Sequence, residues 1–356
     1  MERRTVEAYE RGAAAYVEHR RAHAPDQADH FAGTVASGAL RADLGCGPGH
    51  STPLLGEPVV ALDAAYAMLA EVPGRAPAAL RVQADLEALP FRRGSLAGAW
   101  ACKCYQHLEA DCLPEALAEL HSALSVGSTV AITAFAGAGV HTTSEDDRFP
   151  GRLFTLWAPE DLADVVGGAG FDVTRLEVDD DGRDWRHVQL WARRARTLPD
   201  RVGRDLRLLV CGLNPSLFAA DAGVPFARPG NRFWPAALAS GVVERDRDPS
   251  HALHACGVGS TDLVKRATVG AAELTTDELL AGIERVERLC ERLAPRAVCL
   301  LGVAGWRAAV DRSAPLGWQE RRLGGSPVYL MPKPSGRNAH TSTDGLARHM
   351  RAATEP

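Results

Sequence analysis

The chain has no apolar run long enough to cross a bilayer, because its 356 residues, 46% hydrophobic and 24% charged, alternate in character throughout. A membrane-spanning helix needs about 20 consecutive apolar residues. Residues 1–5 (MERRT) lead into a charged amphipathic segment instead of the apolar core of a secretion signal. We therefore expect a cytoplasmic protein with no membrane partner.

The cysteines do not form a recognisable framework, and the chain has neither internal repeats nor a low-complexity tail. Most of the eight cysteines fall in apolar runs, such as Cys211 and Cys299, or in the close pair Cys102 and Cys104. Neither arrangement has the spacing of a disulfide-stapled domain or of a zinc ribbon. The composition predicts a globular protein of a reducing compartment, with no bound metal.

The length and the charge distribution indicate two domains of different character. A chain of 356 residues exceeds the usual size of one hydrophobic core. Residues 1–197 carry 19 Lys and Arg against 28 Asp and Glu, a net charge of −9, whereas residues 198–356 carry 21 against 17, a net charge of +4. A mildly basic half fits a partner that bears phosphates.

A polar stretch at residues 193–201 (RRARTLPDR) separates two strand-like segments. It contains a proline and four arginines, which are typical of a solvated loop between domains. We therefore expect one domain over residues 1–194 and a second over residues 198–356.

A glycine-rich turn follows the first predicted strand of the N-terminal half. Residues 40–44 form that strand, and Gly45, Gly47 and Gly49 come directly after it. Glycine lets the backbone approach a ligand closely, and the helix that follows directs amide groups towards it. The second strand ends in Asp63, about twenty residues after the first, where a carboxylate can accept hydrogen bonds from both ribose hydroxyls.

In this order, the elements resemble those of class I S-adenosylmethionine-dependent methyltransferases, over roughly residues 5–192. The family's first motif matches residues 43–49 (DLGCGPG), its ribose-binding acid matches Asp63, and its adenine-side acid matches Asp85. The resemblance implies a Rossmann-like, three-layer α/β domain that binds S-adenosylmethionine. The cofactor-binding residues that it implies are Asp43, Gly45, Gly47, Gly49, Asp63, Asp85 and Leu86.

The acceptor of the methyl group is not specified by these motifs. His107 follows the fourth predicted strand, where acceptors meet the cofactor in this family, so it is a candidate general base with an ordinary pKa near neutrality. Its alternative interpretation is a helix-capping or surface histidine. The (N/D)PP(Y/F) motif of amino-directed nucleic-acid methyltransferases is absent from this region, which argues against methylation of base amino groups.

Two polar loops of the C-terminal half follow predicted strands and can face one cleft. Residues 212–216 (GLNPS) follow the apolar run 206–211. Residues 331–338 (MPKPSGRN) begin with the last residue of the apolar run 328–331. Open α/β sheets place their ligands at the carboxyl ends of such strands.

These loops closely resemble segments of the mismatch-specific uracil and thymine DNA glycosylases. Four blocks match in order, at residues 212–217, 224–234, 261–268 and 332–338. The resemblance implies a second three-layer α/β domain and a monofunctional, cofactor-free hydrolase. Its partner would be double-stranded DNA with a mismatched or damaged pyrimidine, from which it leaves an abasic site.

The resemblance also implies the roles of individual residues. Asn214 would hold the attacking water through its amide oxygen, since cleavage of an N-glycosidic bond needs a positioned water and stabilisation of the departing base but no covalent nucleophile. Phe226 would stack on the extruded base. The expected base pocket is Leu213, Phe226 and Asn231, where Asn231 either reads the base edge or braces its loop, and the expected DNA contacts are Lys333, Ser335, Gly336, Arg337 and Asn338.

Two of these contacts have alternatives. Arg337 falls where the family carries the wedge that fills the gap left by the extruded nucleotide, but it is also typical of a solvated turn. Lys333 departs from the family, which more often has an uncharged polar residue there. A lysine stabilises the departing anion, pairs with a phosphate, or forms a Schiff base with the sugar.

Three hypotheses of function follow. In the first, a glycosylase is fused to an S-adenosylmethionine-binding methyltransferase of unknown acceptor. In the second, methyl transfer is the principal activity and the glycosylase-like half docks on nucleic acid. In the third, the glycosylase is active and the cofactor-binding half is catalytically silent and regulates it.

Overall fold

The chain forms two compact units in this computed structural model, which describes residues 2–19, 24–179, 186–336, 338 and 340–356. The first unit is Met1–Gly167 with Phe171–Ala195, and the second is Gly168–Gly170 with Arg196–Pro356. No helix in the described ranges is long and apolar enough to span a membrane.

The first unit alternates strands and helices. Its strands are β1 (Arg41–Leu44), β2 (Val59–Asp63), β3 (Leu80–Gln83), β4 (Leu96–Cys102), β5 (Leu124–Phe135), β6 (Gly139–Thr142), β7 (Leu153–Leu156), β8 (Phe171–Asp179) and β9 (His187–Arg194). Its helices are α1 (Arg3–His19), α2 (Pro25–Thr34), α3 (Tyr66–Glu71), α4 (Leu113–Ala123) and α5 (Pro159–Gly168).

The main sheet of this unit has the strand order β3-β2-β1-β4-β5-β9-β8 over the described residues. Strands β1 to β5 are parallel, and β9 is antiparallel to both β5 and β8. All four residues of β1 are buried, as expected for a central parallel strand covered on both faces. The strand order reverses between β1 and β4, which places a ligand crevice at the carboxyl end of β1.

The second unit is also built on a mostly parallel sheet. Its strands are β10 (Leu208–Gly212), β11 (Val258–Asp262), β12 (Val298–Leu301), β13 (Gly317–Trp318) and β14 (Val328–Met331). Its helices are α6 (Leu217–Ala222), α7 (Phe233–Ser240), α8 (Pro249–Cys256), α9 (Thr276–Leu293), α10 (Ala304–Ala309) and α11 (Thr343–Ala352). The described strands lie in the order β11-β10-β12-β14-β13, with only β13 antiparallel to its neighbour.

Alternation along β10 creates a core on each face of this sheet. Leu209 and Cys211 pack with apolar residues of α9, such as Val286, in one cluster. Leu208 and Val210 pack with residues of α7 and α11 in the other. Successive side chains of a strand point to opposite faces, so helices cover both faces of the sheet. A sheet between two layers of helices is the three-layer arrangement predicted from the sequence.

The observed elements differ from the predicted ones at some ends. Strand β10 begins at Leu208, two residues after the start of the apolar run 206–211. The stretch 193–201 is not a solvated loop along its whole length, because β9 continues to Arg194 and residues 197–200 are buried.

Candidate functional site

A cleft of about 360 Å³ lies at the carboxyl ends of the parallel strands of the second unit. Gly212 at the end of β10 is in register with Asp262 at the end of β11. Both loops predicted from the sequence contribute to the cleft. Its walls are residues 212–216, 268–271 and 333–336, together with Leu198, Ala219, Phe226, Arg228, Pro229, Asn231, Asp262 and Leu301.

The amide of Asn214 is held in one orientation by acceptors behind it. Its Nδ2 donates to the carbonyl oxygen of Arg266 at 3.0 Å, to Thr268 Oγ1 at 2.8 Å and to the carbonyl oxygen of Pro215 at 3.3 Å. A carbonyl oxygen can only accept, and the Thr268 hydroxyl gives its own proton to the carbonyl oxygen of Gly270 at 3.0 Å. The nitrogen must therefore face these groups. No described residue donates to Oδ1, which is left able to accept a hydrogen bond from water.

Phe226 lies on the boundary between the cleft and the core. It is half-buried, and its ring packs on Phe233 with a centroid distance of 4.3 Å. Its φ of 59° is in the left-handed region, which costs a residue with a Cβ about 1–3 kcal/mol. The rest of the structure therefore imposes this conformation, and one part of the ring remains available to the cleft.

The other two predicted pocket residues are partly committed to the scaffold. The Oδ1 atom of Asn231 accepts a hydrogen bond from the backbone N–H of Phe233 at 2.9 Å, which braces the start of α7. Leu213 is half-buried against the core cluster that contains Val286. Both still line the cleft.

The loop after β14 is tied to the start of α7. Arg232 donates its backbone N–H to the carbonyl oxygen of Pro334 at 2.9 Å, and its guanidinium donates to the carbonyl oxygen of Asn338. Asn338 Nδ2 donates to the carbonyl oxygen of Lys333 at 2.9 Å. Lys333, Ser335 and Gly336 line the cleft, with Lys333 and Gly336 exposed and Ser335 half-buried. Arg337, the predicted wedge, lies outside the described residues.

Asp262 is a further polar group of the cleft for which the sequence reasoning proposed no role. Its residue is only 5% exposed, and its carboxyl occupies the space that a Cβ at position 212 would need. None of the described residues donates a hydrogen bond to either carboxyl oxygen. Burial raises the pKa of Asp262 to about 6, with Asp200 adding to the rise and Lys265 and Arg285 opposing it.

Asp200 is a second buried carboxylate in this unit and, unlike Asp262, it accepts hydrogen bonds from several side chains. It accepts hydrogen bonds from Lys265 Nζ at 2.8 Å, Arg285 Nη1 at 2.7 Å and Thr261 Oγ1 at 2.6 Å. Burial on its own would raise the pKa of Asp200, but Arg285 and Lys265 hold it below its ordinary value. These cations pair with Asp200 and leave the Asp262 carboxyl directed at the cleft.

One sequence feature could have identified Asp262. It ends a strand within the matched block 261–268, and polar residues at the carboxyl ends of parallel strands face the ligand side of the sheet. Its lack of a partner could not be anticipated, since that depends on Arg285 in α9.

The glycine-rich turn of the first unit has the geometry expected of a cofactor loop. Gly45, Gly47 and Gly49 have φ values of 60°, 54° and 81°, which glycine adopts without strain. The Gly47 N–H donates to Asp63 Oδ2 at 2.8 Å, and the Ala65 N–H donates to Asp63 Oδ1 at 2.9 Å. Burial raises the pKa of Asp63 to about 6. Each carboxyl oxygen keeps a lone pair with which it can accept a ribose hydroxyl.

The remaining predicted cofactor residues have different environments. Asp43 is buried and accepts a hydrogen bond from Thr52 Oγ1 at 2.6 Å, and burial raises its pKa to about 7. This contact braces the turn. Asp85 is half-buried and accepts a hydrogen bond from the Glu87 N–H at 3.0 Å, whereas Leu86 is fully buried.

His107 has neither of the roles considered from the sequence. It is 5% exposed, its Nδ1 faces the carbonyl oxygen of Leu153 at 2.7 Å, and its Nε2 lies 2.9 Å from Tyr9 Oη. Because the carbonyl can only accept, Nδ1 carries the proton and Nε2 accepts from the Tyr9 hydroxyl. Burial lowers the pKa of His107 to about 4, so the imidazole is neutral and a weak base.

Comparison with known families assigns both halves of the chain. Residues 199–354 match the model of the uracil DNA glycosylase superfamily. Residues 42–127 match the model of a methyltransferase domain. The two predicted family resemblances are therefore confirmed, the second half at the level of the superfamily.

Similar solved structures include several methyltransferases. A 1,6-didemethyltoxoflavin N1-methyltransferase from Burkholderia thailandensis is 20% identical, with 53% of this chain and 85% of that chain covered and a TM-score of 0.44. A methyltransferase dependent on S-adenosylmethionine from Methanosarcina mazei is 11% identical, with 49% and 99% covered and a TM-score of 0.43. Another from Mesorhizobium loti is 20% identical, with 44% and 92% covered and a TM-score of 0.37.

Family matches and sheet topology thus lead to the same description of each half. The chain joins a methyltransferase domain with a Rossmann-like fold, in its N-terminal half, to a domain of the uracil DNA glycosylase superfamily, in its C-terminal half.

Proposed function

We propose that the C-terminal half removes uracil, thymine or a related damaged pyrimidine from G:U- or G:T-type mismatches in DNA. It would hydrolyse the N-glycosidic bond and leave an abasic site, without a cofactor. The observation that carries this proposal is the Asn214 amide, whose nitrogen is fixed by Arg266 and Thr268 and whose oxygen accepts from no described residue, in a residue that lines a cleft large enough for a base.

The chemistry needs little beyond orientation and a suitable electrostatic environment. As the bond breaks, positive charge grows on the sugar and negative charge on the base. A water that donates a hydrogen bond to Asn214 Oδ1 is positioned to add to the sugar carbon, and its proton passes on to solvent. Since an amide is a poor base, the rate depends on positioning, and we expect slow turnover. Phe226 would stack on the base after its extrusion from the duplex.

Asp262 would read the edge of the extruded base. Uracil and thymine present an N–H donor beside a carbonyl acceptor. A protonated carboxylic acid offers the complementary acceptor and donor, whereas a carboxylate can only accept. The raised pKa of Asp262, about 6, supports this role because a large fraction of the acid still carries its proton up to about pH 6.

The loop after β14 would contact DNA. Ser335, Gly336 and Asn338, with Arg337 between them, are small or polar enough to enter the gap left by the base. Lys333 would pair with a phosphate or stabilise the departing base. The net charge of +4 on residues 198–356 supports a polyanionic partner.

Incubation of the full chain with labelled duplexes tests this function directly. The duplexes carry U:G, T:G, U:A or an etheno adduct, with single-stranded uracil DNA in parallel, and abasic sites are revealed by alkaline cleavage. We expect alkali-labile product from at least the U:G duplex, and strand breaks only after alkali. The absence of product from every substrate would refute the proposal.

We propose that the N-terminal half binds S-adenosylmethionine, with the Asp63 carboxylate on the ribose and Asp85 on the adenine side. The link between Asp63 and the Gly47 amide supports it, since it holds the acid and the turn in one arrangement. When bound, the cofactor supplies an activated methyl group. Transfer of labelled methyl to protein, DNA or small-molecule acceptors distinguishes an active methyltransferase from a silent one.

Asp63→Ala is expected to weaken S-adenosylmethionine binding about 10- to 100-fold, the loss expected for hydrogen bonds to a charged group. The same change also frees the Gly47 amide and loosens the turn. Calorimetric titration of the full chain measures the effect. Asp29→Ala, an exposed change on α2, serves as the matched control and should bind normally. Equal affinity of both variants would remove Asp63 from the cofactor site.

A further inference from the structure

Three potential metal ligands converge in the second unit, away from the cleft. Glu244, in the loop before α8, and His251 and Cys256, both in α8, each offer a ligand atom, and these atoms lie within 4.8 Å of one another. Strand β11 starts at Val258, directly after α8, and reaches the cleft only at Asp262. The cluster is therefore at the amino end of this strand, and the cleft is at its carboxyl end.

We propose that Glu244, His251 and Cys256 bind a transition-metal ion of the zinc type. A thiolate, an imidazole and a carboxylate form a mixed sulfur, nitrogen and oxygen set, which suits Zn²⁺ and related ions. Ca²⁺ and Mg²⁺ would need oxygen ligands alone. The chemistry of the three donors thus selects the class of ion.

The Cys256 thiol and the Glu244 carboxyl each lie close to the His251 ring, at different ring nitrogens. Cys256 Sγ is 4.0 Å from His251 Nδ1, and His251 Nε2 is 3.7 Å from Glu244 Oε2. Around a tetrahedral Zn²⁺, with bonds of about 2.0–2.3 Å, neighbouring ligand atoms are roughly 3.5 Å apart. One ring nitrogen of His251 would bind the metal, together with the Cys256 thiolate and a carboxylate oxygen of Glu244. A water would fill the fourth position.

Two of the ligands are on a helix with fixed ends. The His251 N–H donates to the helix-capping Asp248 Oδ1 at 2.9 Å, and α8 ends after Cys256 at Gly257, whose φ is 64°. Glu244 is in contrast 72% exposed on a loop and can turn towards the helix. The metal would thus pin this loop to α8 and stabilise the unit, with no part in base excision.

Metal titration of the full chain tests the site. After removal of metals with a chelator, Zn²⁺ is added in competition with a chromophoric chelator, and Co²⁺ is used as a spectroscopic probe. We expect one equivalent of Zn²⁺ and a thiolate-to-cobalt charge-transfer band. Cys256→Ser and His251→Gln should each weaken Zn²⁺ binding at least about tenfold, because each removes one of three protein ligands. Cys256→Ser should also abolish the band.

His254→Gln provides the matched control, since His254 is on the same helix but is bonded to Ser250 and outside the cluster. It should bind like the unmodified chain. Zn²⁺ should raise the melting temperature of the unmodified chain but not that of Cys256→Ser, and melting in chelator checks that every variant is folded. Absence of Zn²⁺ binding, or an unchanged cobalt spectrum in Cys256→Ser, overturns the proposal.

Discussion

Asn214→Ala is expected to lower the single-turnover rate of uracil excision about 10²- to 10³-fold, the usual effect of removing one preorganised polar group from an active site. The substitution removes the amide oxygen proposed to position the water. The Arg266 carbonyl and the Thr268 hydroxyl each lose one hydrogen bond, the one that they accept from Asn214 Nδ2 at the edge of the cleft. We therefore expect the variant to fold. The measurement is quenched-time-course excision from a labelled U:G duplex with enzyme in excess.

Thr268→Val provides a graded comparison at the same site. The valine keeps the shape of the side chain but removes one acceptor of the Asn214 Nδ2, while the Arg266 carbonyl still orients the amide. We expect a loss of about tenfold, the equivalent of one hydrogen bond. Asn214→Ala protein that excises uracil at the original rate would show that the water is held elsewhere.

Asp262→Asn is expected to stabilise the C-terminal unit at pH 8 by up to about 3 kcal/mol. The pKa of Asp262 is about 6 in the folded chain against an ordinary value of 3.8, so the folded state disfavours the charged form. This penalty is absent below pH about 3.8, grows as the pH rises to about 6, and is complete above it. Urea denaturation at pH 8, 6 and 4.5 should therefore show a gain that shrinks as the pH falls.

Asp200→Asn is the matched control with the opposite sign. The pKa of Asp200 is lowered in the folded chain because Arg285 and Lys265 pair with its carboxylate. Its charge therefore stabilises the fold above the unfolded pKa, and this contribution is lost as the pH falls. We expect the control to be destabilised at pH 8. A gain from Asp262→Asn that is the same at every pH would mean that the charge of Asp262 is not its cause.

The pH dependence of the excision rate separates the effect of Asp262 on activity from its effect on stability. The excision rate of the unmodified chain should fall as the pH rises through about 6, because the ionised Asp262 loses its donor. Asn at position 262 has a donor and an acceptor at every pH, so its rate should not depend on this ionisation. Asp262→Ala should be slow throughout.

Contiguous features of the sequence were sufficient to predict both sheets and the loops at their ends. Segments such as 328–331 are apolar over a whole strand and are followed by proline or glycine. The positions of these strands in the chain are therefore determined by neighbouring residues in the sequence. The cleft between the loops follows from the parallel direction of the strands. The roles of Asn214 and Phe226 remain predictions, to which the structure adds an oriented amide and a half-buried ring.

Features that depend on distant partners could not be predicted. Asp262 is a functional candidate because Arg285, in a helix that follows it in the chain, pairs with Asp200 instead. His107 is neutral because burial lowers its pKa to about 4, and one element that covers it carries Tyr9, almost a hundred residues away, which donates to it. The proposed ligands Glu244, His251 and Cys256 match no metal-binding spacing and are brought together only by the fold of their loop and helix.

The close approach of Gly212 and Asp262 constrains how this domain can change in evolution. A Cβ at position 212 would need the volume that the carboxyl of Asp262 now fills. An alanine at 212 therefore requires the Asp262 carboxyl to move or a shorter side chain at 262, and either change would displace the acid proposed to contact the base. Among descendants of this sequence, the two positions should vary as a pair, and a glycine retained at 212 should mark those that keep a polar residue at 262.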